Sequence, residues 1–173
     1  MSNQPKQIGK TFSFIFWGLL LAGLFYFFQD KLAKQENPNS NPNSYQVGDV
    51  QVLELQRNRY GHYVTSGMIN QIDVEFMLDT GATNVAVPQA VANKVGLLKG
   101  RAVQVNTANG IATAYTTVID QLNLGEIQLF DVKATIVPGM QGNQILLGMN
   151  VLKQVEFRQL GDQLTLKHHI SNN

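Results

Sequence analysis

The chain has 173 residues, a net charge of +1 and no cysteine. This length provides for one modest globular domain with additional segments, and the balanced charge argues against nucleic-acid binding, which calls for a basic face. The lack of cysteine excludes disulfides, thiolate nucleophiles and cysteine-ligated metals. The three histidines, His62, His168 and His169, do not have the spacing of a metal site. We therefore expect neither a metal nor another cofactor.

An apolar run at residues 12–28 follows a polar tail at residues 1–11. The run contains no charged residue and is just long enough for a membrane-spanning helix. A cleaved signal peptide is the main alternative, but aromatic residues at 25–28 occupy the place of the small residues that a cleavage site needs. A buried helix of a soluble core would need cover on every side. We predict an uncleaved single-pass anchor, and lysines at both ends of the run leave its orientation open.

The segment after the apolar run, residues 29–46, is polar and contains Asn-Pro twice. With no apolar periodicity, it predicts a flexible linker rather than a folded element. Short β-like runs follow, so the sequence predicts a folded domain at residues 47–168 and a C-terminal tail at 169–173.

Turn signals divide this domain into predicted strands and short helices. Asn70-Gln71 predicts a tight hairpin between strands 62–69 and 72–78. Pro88 and Gly96 bracket a predicted helix at 89–95. Asn109-Gly110, the strongest short-range hairpin signal, joins strands 103–108 and 111–115. Further predicted strands are 85–87, 117–124, 127–137, 144–148, 155–158 and 163–167, with a helix at 149–154. This order predicts a small, closed, mainly β domain.

The motif with the clearest chemical meaning is residues 76–83 (FMLDTGAT), where an apolar strand ends on Asp79. A carboxylate at such a place needs a partner or a task. Peptide hydrolysis without a metal or a covalent nucleophile uses two carboxyl groups about 3 Å apart that share one proton. The chain has a single Asp-Thr-Gly, so it supplies half of such a site. An ordinary Asp-x-Gly turn is an alternative, and an aspartyl-phosphate enzyme would need further acidic residues and Rossmann-like helices.

Three motifs in this order resemble the retropepsin-like aspartic proteases. They are the loop Asp79-Thr80-Gly81-Ala82, the hairpin tip Asn109-Gly110 and the segment Leu146-Leu147-Gly148. The resemblance covers roughly residues 60–168, and the chain is identified as a membrane-anchored member of the bacterial type. It implies a mainly β, single-lobe closed domain with one or two short helices, preceded by a transmembrane helix.

The resemblance also implies an activity and a role for each motif. The activity is that of an aspartic endopeptidase acting on polypeptides as a homodimer, with Asp79 from both chains forming the catalytic dyad. Thr80, Gly81 and Ala82 support the loop, and Asn109 and Gly110 belong to a flap over the substrate. Leu146, Leu147 and Gly148 form the segment behind the loop. The implied location is the inner membrane of a Gram-negative cell, with the domain in the periplasm.

Two positions depart from the retroviral members of this group. Those enzymes have Asp where this chain has Thr83, and Arg where it has Met149, and the two residues pair near the dimer interface. We therefore expect a weaker solution dimer, offset by confinement of two copies to one membrane. The alternative function is a catalytically weak or inactive peptide-binding adaptor with the same fold. A third hypothesis is a structural membrane protein in which Asp79 caps a turn.

Overall fold

The computed structural model describes residues 4–107 and 110–170, with side chains described from Gly9 onward. Within these residues the helices are α1 (Gln4–Glu36), α2 (Gln89–Lys94) and α3 (Met149–Leu152). The strands there are β1 (Asn43–Val47), β2 (Val50–Gln56), β3 (Val64–Ile69), β4 (Ile72–Leu78), β5 (Val85–Pro88), β6 (Ala102–Thr107), β7 (Gly110–Leu124), β8 (Ile127–Val137), β9 (Gln144–Leu147), β10 (Glu156–Leu160) and β11 (Gln163–His169). The predicted mainly β fold class, with an apolar helix before it, is confirmed.

Helix α1 contains the apolar run of the sequence. Its stretch Gly9–Glu36 is long and apolar enough to cross a membrane, with a mean hydropathy of 1.9 over an 18-residue window of which no part is buried. A signal sequence near an N-terminus also meets these criteria of length and composition. The chain divides into two compact units between Gln35 and Glu36, and the two sheets and the candidate site belong to the second.

Most strands of this second unit form one closed sheet. The order is β3-β4-β9-β5-β8-β7-β6, and β3 also pairs with β7, at Met68 with Asn123 and Ile69 with Leu122. Gly67 makes this closure possible, because a Cβ at that position would collide with the Asn123 carbonyl oxygen and with the ring of Phe76. The sheet is therefore a small barrel.

Strand β9 lies between β4 and β5, which are consecutive along the chain. It runs parallel to β4, with Leu147 opposite Leu78, and antiparallel to β5, with Leu146 opposite Ala86. This insertion places the end of β9 next to the residue that follows β4, which is Asp79.

A second sheet has the order β1-β2-β11-β10. Leu53 and Leu55 of β2, with Leu164 and Leu166 of β11, are buried and join the apolar core of the barrel. The outermost strand on one side, β10, is exposed along its whole length.

The structure corrects the predicted flexible linker at residues 29–46. Helix α1 continues to Glu36, and β1 begins at Asn43. Between them Asn37 and Asn39 are only 4% and 3% exposed. Polar composition misled the prediction because an amide side chain can be buried when each of its polar atoms has a partner. Strands β1 and β2 were likewise not predicted as separate elements, and β11 extends into the predicted tail as far as His169.

Local turn predictions agree better with the structure. Asn70 and Gln71 both have positive φ, 49° and 67°, as a tight hairpin requires. Helix α2 ends before Gly96, whose φ is 74°. The predicted strands 111–115 and 117–124 are one continuous strand, β7, and α3 is shorter than the predicted helix 149–154. Asn109 of the predicted flap tip lies outside the described residues.

Candidate active site

The end of strand β4 is held on both sides just before it reaches Asp79. The Leu78 N–H donates to the Tyr63 carbonyl (3.0 Å), and the Asp79 N–H donates to the Leu147 carbonyl (3.0 Å). Phe76, two residues before Leu78, is fully buried in the core. Asp79 itself is half-buried, so its carboxylate emerges from a fixed strand and remains accessible.

Directly after Asp79 the chain folds back on the carboxylate. The Gly81 N–H donates to Asp79 Oδ1 (2.9 Å), and the Ala82 N–H donates to the Asp79 carbonyl (3.2 Å). A Cβ on Gly81 would lie 3.2 Å from Oδ1, so glycine gives the main chain room to approach the carboxylate. Thr80 is exposed at the tip of this turn. The bond from Gly81 orients the carboxylate, and it also occurs in ordinary Asp-x-Gly turns.

Gly148 lies directly behind the loop. A Cβ there would be 2.6 Å from the Asn84 carbonyl carbon and 2.8 Å from the Ala82 carbonyl oxygen. The next two main-chain amides continue this contact: Met149 N–H donates to the Ala82 carbonyl (2.8 Å), and Asn150 N–H donates to the Thr83 carbonyl (3.0 Å). The structure thus brings together the loop and the Leu146-Leu147-Gly148 segment, with Leu147 and Gly148 buried and Leu146 half-buried.

Asn150 supports the loop in a way that the sequence did not reveal. Besides its main-chain bond to Thr83, its Nδ2 donates to the Lys133 carbonyl of β8 (2.7 Å). The residue therefore joins the active-site loop, the start of α3 and β8. Its position directly after Gly148-Met149 is the signal that could have indicated it. Tyr63 is a second supporting residue that the sequence did not reveal, because its bond to the Leu78 N–H is a main-chain contact without a side-chain signature.

The predicted flap is the hairpin of β6 and β7. Thr107 pairs with Gly110 across it, and Thr107 Oγ1 donates to the Gly110 carbonyl (2.8 Å). Gly110 has a φ of +104°, a conformation that favours glycine. The adjacent Ile111 is 75% exposed.

Among residues 9–107 and 110–170, no three His, Asp or Glu side chains come together in a group that could hold a metal ion.

Comparison with known proteins agrees with this geometry. The family model for the gag-polyprotein putative aspartyl protease matches residues 65–154. A crystal structure of a retropepsin-like aspartic protease from Rickettsia conorii superposes with a TM-score of 0.59 at 28% identity, covering 74% of this chain and 96% of that one. The barrel with a backed Asp-Thr-Gly loop is thus the single lobe of a retropepsin-like protease. The chain belongs to the gag-polyprotein putative aspartyl protease family.

Two curated relatives carry the name of uncharacterized proteins. A protein in the cobV 5′ region of Sinorhizobium sp is 33% identical over 121 residues, covering 68% of this chain and 52% of the relative. Protein RP867 of Rickettsia prowazekii is 28% identical over 130 residues, covering 72% of this chain and 54% of the relative. The chain spans about half the length of these relatives.

Proposed function

We propose that this protein is an aspartic endopeptidase whose complete site contains Asp79 from each of two copies. The observation that carries the proposal is the fixed, accessible carboxylate of Asp79, oriented by the Gly81 N–H and backed by Gly148. An ordinary turn cap would not need the close approach of Gly148 or the bonds from the Met149 and Asn150 amides behind the loop. Membership of the family makes peptide hydrolysis the chemistry that this carboxylate is best suited to perform.

In the proposed reaction the two carboxyl groups share one proton. The ionised Asp79 takes a proton from a water molecule, whose oxygen forms a bond to the carbonyl carbon of the scissile peptide. The protonated Asp79 of the partner copy transfers its proton to the carbonyl oxygen, so the tetrahedral intermediate is a neutral diol, and one of its hydroxyls returns a proton to the dyad on collapse. Collapse of the tetrahedral intermediate breaks the C–N bond, and the leaving nitrogen receives a proton from the dyad. In this proposal Thr80 and Ala82 shape the loop, while the hairpin with Asn109 and Gly110 covers the substrate.

The exposed edge of β10 supports the proposed homodimer. All five of its residues are exposed, and among the described residues β10 is the last strand of its sheet, so its outer edge is suited to pairing with another strand. Phe157 is 57% exposed although it is paired with the buried Leu166. If two β10 strands pair antiparallel with Phe157 opposite Phe157, Glu156 of each strand faces Arg158 of the other. These two opposite-charge pairs favour this register over registers that place like charges opposite each other.

The membrane part of the proposal is that α1 is a single-pass anchor in the inner membrane, with the protease domain in the periplasm. The length and apolar composition of Gly9–Glu36 support an anchor. The orientation rests on the resemblance to bacterial members. Protease added to spheroplasts should degrade the domain if it faces the periplasm, and protection until lysis would reverse the orientation.

The central test is Asp79→Asn in the full chain, in detergent, with an unfolded polypeptide as substrate. We expect cleavage to be abolished with unchanged thermal unfolding, because the amide keeps an oxygen for the Gly81 N–H. Asp120→Asn, at an exposed position on β7, is the control and should retain activity. Wild-type activity should be inhibited by a pepstatin-type compound and rise with the square of protein concentration while monomer dominates. Undiminished cleavage by Asp79→Asn would refute the proposal, and peptide binding without cleavage by the wild type would favour the adaptor function.

The dimer surface has its own matched pair of variants. Phe157→Asp should shift the monomer–dimer equilibrium toward monomer and lower activity at a given concentration. Phe130→Asp changes a phenylalanine of similar exposure, 63%, on β8 and should do neither. Equal dimerisation of both variants would exclude the β10 edge as the dimer interface.

A further inference from the structure

Residues 37–42, here named the strap, follow directly after α1 and lie against strand β3. Asn39 forms a parallel bridge with Thr65. Its carbonyl accepts from the Ser66 N–H (3.1 Å) and from Thr65 Oγ1 (3.3 Å). The strap therefore covers part of the outer edge of β3, which would otherwise present unpaired main-chain groups.

The side chain of Asn39 joins the two sheets of the domain. Its Oδ1 accepts from the Gln56 N–H (2.7 Å), and its Nδ2 donates to the Gln56 carbonyl (2.9 Å) and to the Val64 carbonyl (2.6 Å). Gln56 ends β2 of the four-stranded sheet, and Val64 begins β3 of the barrel. Asn39 is 3% exposed, and its bond to Val64 is buried, whereas its two bonds to the exposed Gln56 are partly buried. Loss of the Asn39 side chain would therefore leave the buried Val64 carbonyl without this partner.

Asn37 extends the same connection to β4. Its Oδ1 accepts from the Asn39 N–H (3.0 Å), and its Nδ2 donates to Ser66 Oγ (3.2 Å) and to Glu75 Oε1 (2.9 Å). The two buried amides thus fix the strap, β3 and β4 to one another.

The strap leads by a short route to the proposed catalytic residue. Val64, which accepts from Asn39, is preceded by Tyr63, and the Tyr63 carbonyl accepts from the Leu78 N–H next to Asp79. We propose that Asn39 is a positioning residue for Asp79, acting through β3 and the Tyr63–Leu78 bond. The segment after the helix would then determine activity rather than serve as a spacer. The inference rests on the proposed function for its activity readout only.

Hydrogen exchange at two adjacent amides tests this in the full chain. The Leu78 N–H depends on β3, whereas the Asp79 N–H is bonded to Leu147 of β9. In Asn39→Ala we expect the Leu78 amide to exchange faster relative to the Asp79 amide by about tenfold or more. We also expect kcat to fall by on the order of tenfold or more, with KM changed much less. An unchanged ratio of the two exchange rates in the folded variant would overturn the proposal.

Two controls separate positioning from general destabilisation. Asn43→Ala removes an exposed amide that donates to Glu54 Oε2 (2.9 Å) and should change neither readout. Val132→Ala removes buried apolar volume on β8 and should accelerate exchange of both amides together. A selective effect in Val132→Ala equal to that in Asn39→Ala would also overturn the proposal.

Two further outcomes remain decisive. Should Asn39→Ala not fold, Asn37→Ala is expected to show the same selective pattern with smaller amplitude, and an unchanged ratio there counts against the proposal. Should the wild type cleave nothing at any concentration, the proposed function fails while the exchange ratio still decides the role of the strap.

Discussion

Replacing Gly148 by alanine should disturb the active-site loop while leaving most of the fold in place. The residue has φ −83° and ψ 177°, so alanine can adopt its backbone conformation. The obstacle is space: the added methyl group would lie 2.6 Å from the Asn84 carbonyl carbon and 2.8 Å from the Ala82 carbonyl oxygen. Both are main-chain atoms, which cannot rotate away as a flexible side chain can.

The magnitude follows from this geometry. Restoring an ordinary contact of about 3.4 Å to the Asn84 carbon requires a separation of about 0.8 Å between β9–α3 and the loop. Such overpacking costs about 1–3 kcal/mol. The displacement also lengthens the bonds from the Met149 and Asn150 amides to Ala82 and Thr83, now 2.8 and 3.0 Å, each costing about 1–3 kcal/mol if broken. Together these contributions reach about 3–9 kcal/mol if both bonds are broken. We expect a loss near the lower end of that range, or a fall in Tm on the order of 10 °C.

Thermal unfolding of the full chain measures the stability, and hydrogen exchange at the Met149 and Asn150 amides locates the change. Gly139→Ala is the control, because nothing lies within 4 Å of a Cβ at that glycine. Cleavage by the Gly148 variant should fall more steeply than its folded fraction at the assay temperature. A Gly148→Ala protein as stable as Gly139→Ala, with both amides still protected, would refute the argument that this glycine is needed for close approach.

Two other predictions concern pH and the flap. Burial, and secondarily the charge of His169, lower the pKa of His168 from 6.5. Below about pH 6.5 the folded state therefore binds fewer protons than the unfolded state. The stability that His168 contributes is present above about pH 6.5 and is lost as the pH falls through the folded pKa. His168→Gln should therefore lose less Tm between about pH 7.5 and pH 5 than the wild type, and an equal loss would contradict this. Gly110→Ala forces a φ of +104° on an L-residue, which costs about 1 kcal/mol or more. It should reduce cleavage more than the control Gly48→Ala in the β1–β2 turn, where φ is +59°. Equal activity of the two variants would contradict a role of the hairpin in substrate binding.

Elements with local signals were predictable from sequence. The Asn70-Gln71 hairpin, the helix between Pro88 and Gly96 and the apolar strand at 144–147 are each defined by residues within a few positions of one another. Turn chemistry and helix boundaries depend on short-range sterics, so a single sequence is sufficient to place them.

Elements that depend on distant partners were not predictable. The burial of Asn39 is decided by Gln56 and Val64, seventeen and twenty-five positions away, and a polar Asn-Pro segment by itself predicts disorder. Strand β2 likewise acquires its place only by pairing with β11 near the other end of the chain.

The candidate site also has features that were predictable from sequence and features that were not. The Asp79 loop and Gly148 have distinctive residue types, and the resemblance identified them. Their connections are mostly bonds to main-chain carbonyls, such as Tyr63, Ala82 and Thr83. Any residue can provide a carbonyl, so these contacts have no sequence signal. Asn150 uses its side chain, but its partner on β8 is again a carbonyl.

The positions of Thr83 and Met149 bear on how two copies would associate. Where retroviral enzymes have a charged pair near their dimer interface, this chain joins the same two segments through the main-chain bond from Asn150 to Thr83 and that from Met149 to Ala82. These bonds hold the loop within one copy and need no side-chain charge, so the loop can be preformed in the monomer. In the proposed dimer, association would then come from elsewhere, and the exposed β10 edge with Phe157 is suited to it. A short edge strand gives weak affinity in solution, and confinement of two copies to a membrane by α1 would raise their effective concentration without adding a contact.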